Sequence, residues 1–166
     1  IKTFAFDSCR HLKSVEFDVD SNLKLIDESA FSNSSIEINS IPSSVERIDE
    51  SAFSYCTRLK SVTFMENSRL SSIKKYAFAY SALRSISIPA SVYEIIECAF
   101  FNCKNFKSIE FLTNKQSKYS INGCENLILI SFPNADKIYK KMFIGFENSD
   151  NCKIFVKPGA KFTEFL

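Results

Sequence analysis

Six cysteines and one histidine are the residues of this 166-residue chain best suited to chemistry. Cys9, Cys56 and Cys103 recur every 47 residues, and Cys124 falls at the same point of a repeated pattern. Thiols in such an array could ligate a metal, bridge, or attack an electrophile. Zinc needs four converging ligands, and His11 between Cys9 and Leu12 does not supply them. If the recurrence marks coils stacked about 4.8 Å apart, Cys9 and Cys56 sit two coils and roughly 10 Å apart, beyond the ~7 Å Cα reach of a disulfide. Cys103 and Cys124, on adjacent coils, are the pair that comes near bonding distance. The reading that results is a ladder of small, buried, reduced thiols, with Cys98 and Cys152 outside it and no metal or cofactor.

Other catalytic constellations fail at the level of residue types. One histidine and no Gly-x-Ser-x-Gly elbow leave the abundant serines without a triad. Three glycines in the whole chain leave no phosphate-cradling loop. Asp27-Glu28 and Asp49-Glu50 recur with the repeat, as solvated turns do, and do not read as an acid/base couple. The expectation is a protein that is not an enzyme.

What positions these residues is a period. Ala-Phe occurs at Ala5-Phe6, Ala30-Phe31, Ala52-Phe53, Ala77-Phe78 and Ala99-Phe100, with gaps of 25, 22, 25 and 22 residues. A fixed period in the low twenties is one supersecondary unit stacked on its own copies. Before Ala-Phe the pattern is [V/L]-x-x-I-x-x-x-A-F, filled by Leu23/Ile26, Val45/Ile48, Leu70/Ile73 and Val92/Ile95. After it comes x-x-C-x-x-L-x-x-[V/I]-x-[F/I], as in Cys56-Leu59-Val62-Phe64, with Ser34 and Ser81 in the cysteine region of the shorter copies. Alternation at Val15-Glu16-Phe17, Val62-Thr63-Phe64 and Ile86-Ser87-Ile88 predicts short strands with one buried face. Turns follow, at Ile41-Pro42-Ser43-Ser44 and Ile88-Pro89-Ala90-Ser91 in one class and at Asp20-Ser21-Asn22 and Glu66-Asn67-Ser68 in the other. The Ile-x-x-x-Ala-Phe segment then returns as a short strand or a single helical turn. Each coil has a thin apolar edge, and stacking Phe6, Phe31, Phe53, Phe78 and Phe100 into a spine supplies the core.

The pattern assigns one domain over 1–166 with about six coils. The fifth return is irregular, with Gln116 where Ile is expected and Ile121 in place of Phe. The frame resumes at Cys124, Leu127, Ile130 and Phe132 and runs on through Ala135 and Ile138 to Met142-Phe143. Residues 152–166, with a strand ended by Pro158-Gly159, read as a C-terminal cap. Ile1 opens inside a repeat without a Met, as in a segment of a longer chain. Twenty-one basic and nineteen acidic side chains give a net charge of +2. That balance lacks the concentrated positive field that nucleic acid or an anionic membrane requires, and no apolar run reaches membrane-spanning length.

The broad surface that remains is the open strand face. Its expected outward residues are Ser14, Glu16, Ile38, Ser40, Ser61, Thr63, Ser85, Ser87, Ser108, Glu110, Leu129 and Ser131. This is a hydroxyl-rich, charge-poor platform for an extended protein ligand, with Ile38 and Leu129 as apolar contacts. Ser and Thr also satisfy a solvated strand with no ligand at all. Asn33-Ser-Ser35 is an N-glycosylation acceptor sequence.

Leu12-Lys-Ser-Val15, Ile88-Pro-Ala-Ser-Val92-Tyr-Glu-Ile95 and the Ala-Phe-x-x-Cys step resemble the BspA-like leucine-rich repeats. The closing Ile154-Phe-Val-Lys-Pro-Gly159 is similar to the way many such arrays end. The resemblance implies an α/β, right-handed, horseshoe-like leucine-rich-repeat solenoid, with short parallel strands and short helical or extended returns. It implies a surface or secreted protein of bacteria or protozoan parasites, with a host extracellular or cell-surface protein as partner and adhesion as its role. An intracellular leucine-rich-repeat scaffold is the alternative. No catalytic motif belongs to the family.

Overall fold

The computed structural model describes residues 1–166 except 39, 114–117, 140–142, 145–151 and 164–166. Two columns of short parallel strands run along it. The first holds β1 (Ser14–Val15), β3 (Glu37–Ile38), β5 (Ser61–Val62), β7 (Ser85–Ile88), β9 (Ser108–Phe111), β11 (Leu129–Phe132) and β14 (Lys153–Val156). The second holds β2 (Leu25–Ile26), β4 (Arg47–Ile48), β6 (Ser72–Ile73), β8 (Glu94–Ile95), β10 (Lys118–Ser120) and β13 (Phe143–Ile144). Within each column successive coils pair in parallel, Ile48 on Ile73 and Ile86 on Ile109 for example. A further pair, β12 (Lys137–Tyr139) with β15 (Lys161–Thr163), is also parallel. The result is a parallel-strand solenoid.

The expected α/β character is corrected: the described residues contain no helix, and the returns are extended. The hydrogen bonds of the third side show why. Phe31, Phe53 and Phe78 donate their amides to Ala52, Ala77 and Ala99 of the next coil. Every second residue closes a local turn instead, as Ala52 does on Asp49 and Ser54 on Ser51. An α-helix needs these donors for the carbonyl four residues back. Each coil also carries two left-handed residues around Ala-Phe, among them Ser29 and Asn33, Ser51 and Tyr55, and Tyr76 and Tyr80, with φ between 52° and 58°. A right-handed helix cannot pass through them.

Stacking builds the core as the period predicts. Phe6, Phe31, Phe53, Phe78 and Phe100 form one column with centroids 5.2, 5.3, 5.3 and 5.6 Å apart and rings within 8° of parallel. Ile26, Ile48, Ile73 and Ile95 line the second side and are almost wholly buried. The fifth return departs from expectation in a specific way. Gln116 lies outside the described residues, and the inward position opposite Ile95 is taken by Tyr119. Its buried hydroxyl donates to the Val92 carbonyl at 3.0 Å, which removes the cost of burying a phenol. Ile121 is buried as expected, whereas Met142 lies outside the described residues.

Candidate functional site

The open face is the outward side of the first column. Ser61, Ser85, Ser108, Leu129 and Lys153 stand in one register row. Ser87, Glu110, Ser131 and Phe155 stand in the next. Ser14, Glu16, Ser61, Thr63, Ser85, Ser87 and Leu129 are exposed, while Ser40, Ser108, Glu110 and Ser131 are half-buried. Ser87 donates to Glu110 at 2.8 Å, so part of the hydroxyl surface is already tied to its neighbours.

Ile38 is not on this face. It pairs with Val15, is 4% exposed and belongs to the core, and Glu37 takes the outward position beside Ser14. The second coil has one residue fewer than the fourth between its Phe and this strand and one more after it. Counting back from Ile41-Pro42 therefore shifts the register by one, and a shift of one turns every side chain to the other face. The extra residue also interrupts the column, where β3 and β5 are joined by a single bridge, Ile41 to Phe64. Glu37 accepts from Arg58 of the next coil at 2.9 Å.

Three face residues escaped the sequence reading: Glu37, Lys153 and Phe155. Phe155 is 61% exposed and stands beside Ser131. No polar–apolar alternation marks this strand: Ile154, Phe155 and Val156 follow Lys153 without a break, and Ile154 is itself exposed, so the sequence reads it as part of a cap and not as one more row.

Along β5 and β7 the face is hollowed. A cavity of about 650 Å³ lies between the turn after β5 (Met65 to Ser68) and the turn after β7 (Pro89 to Ser91), with Leu112 and Asn134 at its far end. Its floor includes Ser61, Thr63, Ser85 and Ser87, so four expected face residues converge there. That volume lies within the ~300–1,000 Å³ of ligand clefts and suits one or two side chains of a bound chain.

The cysteines play no part in this surface. Cys56, Cys103 and Cys124 are buried, and Cys9, Cys98 and Cys152 half-buried; all six are free, the Cys103–Cys124 pair included. Cys56 donates to the Phe31 carbonyl at 3.1 Å and faces Ser34 at 3.6 Å, and Cys103 repeats this with Phe78 and Ser81. Burial pushes the Cys56 thiol up to about 11, and burial raises Cys103 and Cys124 as well. A thiol held protonated is a poor nucleophile and a poor metal ligand. Among the described residues no three of His, Cys, Asp and Glu gather as a metal site. Asp27 and Asp49 each accept the amide of the following Glu, which makes the recurrent acidic pairs turn-forming. Among the same residues no helix is long and apolar enough to cross a membrane.

The profile described as BspA type Leucine rich repeat region matches in six copies over residues 1–107 and 71–157. The chain belongs to this family. Among solved structures, a leucine-rich repeat protein of Bacteroides ovatus ATCC 8483 aligns over 99% of this chain and 42% of its own, at 24% identity and a TM-score of 0.64. A leucine rich cell surface protein of Faecalibacterium prausnitzii A2-165 aligns over 98% of this chain and 57% of its own, at 19% identity and a TM-score of 0.50. The chain thus spans about two fifths and somewhat over half of the length of these two leucine-rich repeat proteins, and at such identities the likeness is one of fold. No curated protein sequence matches the chain significantly.

Proposed function

We propose that this BspA-type solenoid is a non-catalytic protein-binding module, working in adhesion at a cell surface or after secretion. The contact surface is the open strand face. The observation that carries this reading is the hollow along β5 and β7, where four hydroxyl-bearing face residues meet a cleft large enough for a partner's side chains. Family membership and the cell-surface description of the Faecalibacterium relative support the outward location. The alternative is an intracellular scaffold for protein-protein interaction, which the same residues and six unbridged thiols fit equally well. On this reading the chain acts as one solenoid domain whose C-terminal cap begins near residue 152.

Arg at Ser61, Ser85 and Ser108 together fills the centre of the face without touching the spine. Against a panel of immobilised extracellular-matrix proteins, the folded triple variant is expected to lose at least tenfold in binding. Undiminished binding by that variant moves the contact to the turns or the third side.

A further inference from the structure

The third side carries a feature that the strand-face reading does not use. Four aromatic rings of three successive coils come together there: Tyr55, Tyr76, Tyr80 and Phe101. Tyr55 and Tyr80 stack at 4.4 Å with rings 5° from parallel. Phe101 meets Tyr80 and Tyr76 nearly at right angles, at 73° and 80°. In the spine, rings of neighbouring coils lie flat on one another and leave no room. Here they form a corner around a slot of about 280 Å³.

The repeat explains its shape. Ser54, Ala79 and Phe101 are one repeat position, the residue after each spine Phe. Ser54 and Ala79 are small and buried and make the floor, whereas Phe101 rises as an end wall. Tyr76 stands on one side and the Tyr55–Tyr80 stack on the other. Phe101 is seated against Gly123, where a Cβ would come within 2.3 Å of its ring. Gly123 also has φ +73°, so the position demands glycine on both counts.

The three tyrosines occupy left-handed positions, with φ of 56°, 56° and 58°. Bulky residues are costly there; the equivalent positions of other coils hold Ser8, Ser29, Asn33, Ser51 and Asn102, with Phe4 and Cys98 as the exceptions. Costly residues gathered around an open slot suggest a role other than packing.

We infer that the slot seats one sugar ring of a neutral glycan. At about 280 Å³ it lies just under the usual ~300 Å³ lower bound of ligand clefts, which favours one small ring over a folded peptide segment. No charged side chain lines it, so an anion finds no counter-charge there, and the Tyr76 ring face that would draw a cation already carries Lys75 at 5.2 Å. Lys75 lies over Tyr76 but outside the slot and is paired with Glu97 at 3.5 Å. Aromatic rings present broad apolar surface for the C–H face of a pyranose, and Ser51, Ser54 and the three tyrosines bring hydroxyl groups to the lining.

Electrophoresis of the intact chain in native gels cast with mannan, laminarin or glycol chitin tests this. At least one polysaccharide is expected to retard the protein. Tyr55→Ala, half-exposed and therefore tolerant of replacement, should weaken that retardation at least tenfold, as should Phe101→Ala. Tyr93→Ala, an exposed tyrosine elsewhere, and the Ser61/Ser85/Ser108 triple variant should leave it unchanged. Absence of retardation in all three gels overturns the inference. So does full retardation of folded Tyr55→Ala, or binding of decaproline but no polysaccharide at Tyr55 and Phe101. None of these results bears on the strand-face reading, whose variant sits on another side.

Discussion

Cys56 is a thiol that its surroundings keep protonated. It is wholly buried, bonded to the Phe31 carbonyl, and its pKa is raised to about 11 chiefly by loss of solvent. The raised value fixes the pH dependence. Stability from Cys56 is complete below the unfolded thiol value near 9 and is lost as pH rises toward 11, because the unfolded chain ionises first. Titration with a thiol reagent at neutral pH should find no more than three reactive groups in the native protein, Cys9, Cys98 and Cys152, and six after unfolding. Six reactive thiols before unfolding would contradict this burial. The ladder was legible in sequence because Cys recurs every 47 residues. Its alternation with Ser34 and Ser81 also shows there, but the sulfur-hydroxyl contacts between coils do not.

The strands were legible as elements wherever branched or aromatic residues alternate with polar ones, as at Ile86-Ser87-Ile88. Ile38 was misplaced because Pro42 marks where the strand's run ends but not where the extra residue within it sits. The third side was harder to read. Left-handed residues are normally announced by Gly or Asn, yet here Phe4, Tyr55, Tyr76 and Tyr80 adopt them under hydrogen bonds from neighbouring coils. Local propensity gives no hint of this, which is why a helical turn stayed open. Ser51, with φ 56° and its amide bonded to Lys75, offers a test. Ser51→Gly should stabilise the protein by up to ~1 kcal/mol and Ser51→Val destabilise it by about 1–2 kcal/mol, read from denaturant midpoints. Equal midpoints for the two would remove the left-handed assignment.

At the scale of the whole molecule, stability is a property of the interfaces between coils. No coil holds a core of its own; Phe53 is buried because Phe31 and Phe78 cover its two faces at 5.3 Å. The period alone made this legible. It did not show how the fifth return closes, because Tyr119 reaches the buried position in a stretch with no repeat spacing to reveal it. Binding surfaces on such a molecule are as rigid as the stack beneath them, so both proposed contacts depend on it. The most direct measurement is guanidinium unfolding of Phe53→Ala beside Ser85→Ala, followed by circular dichroism and tyrosine fluorescence. Truncating the spine should lower stability by about 3–5 kcal/mol in a single transition seen alike by both probes, while the exposed Ser85→Ala stays within ~0.5 kcal/mol of the parent. Equal small losses in the two variants would contradict a solenoid held together by its stacked phenylalanines.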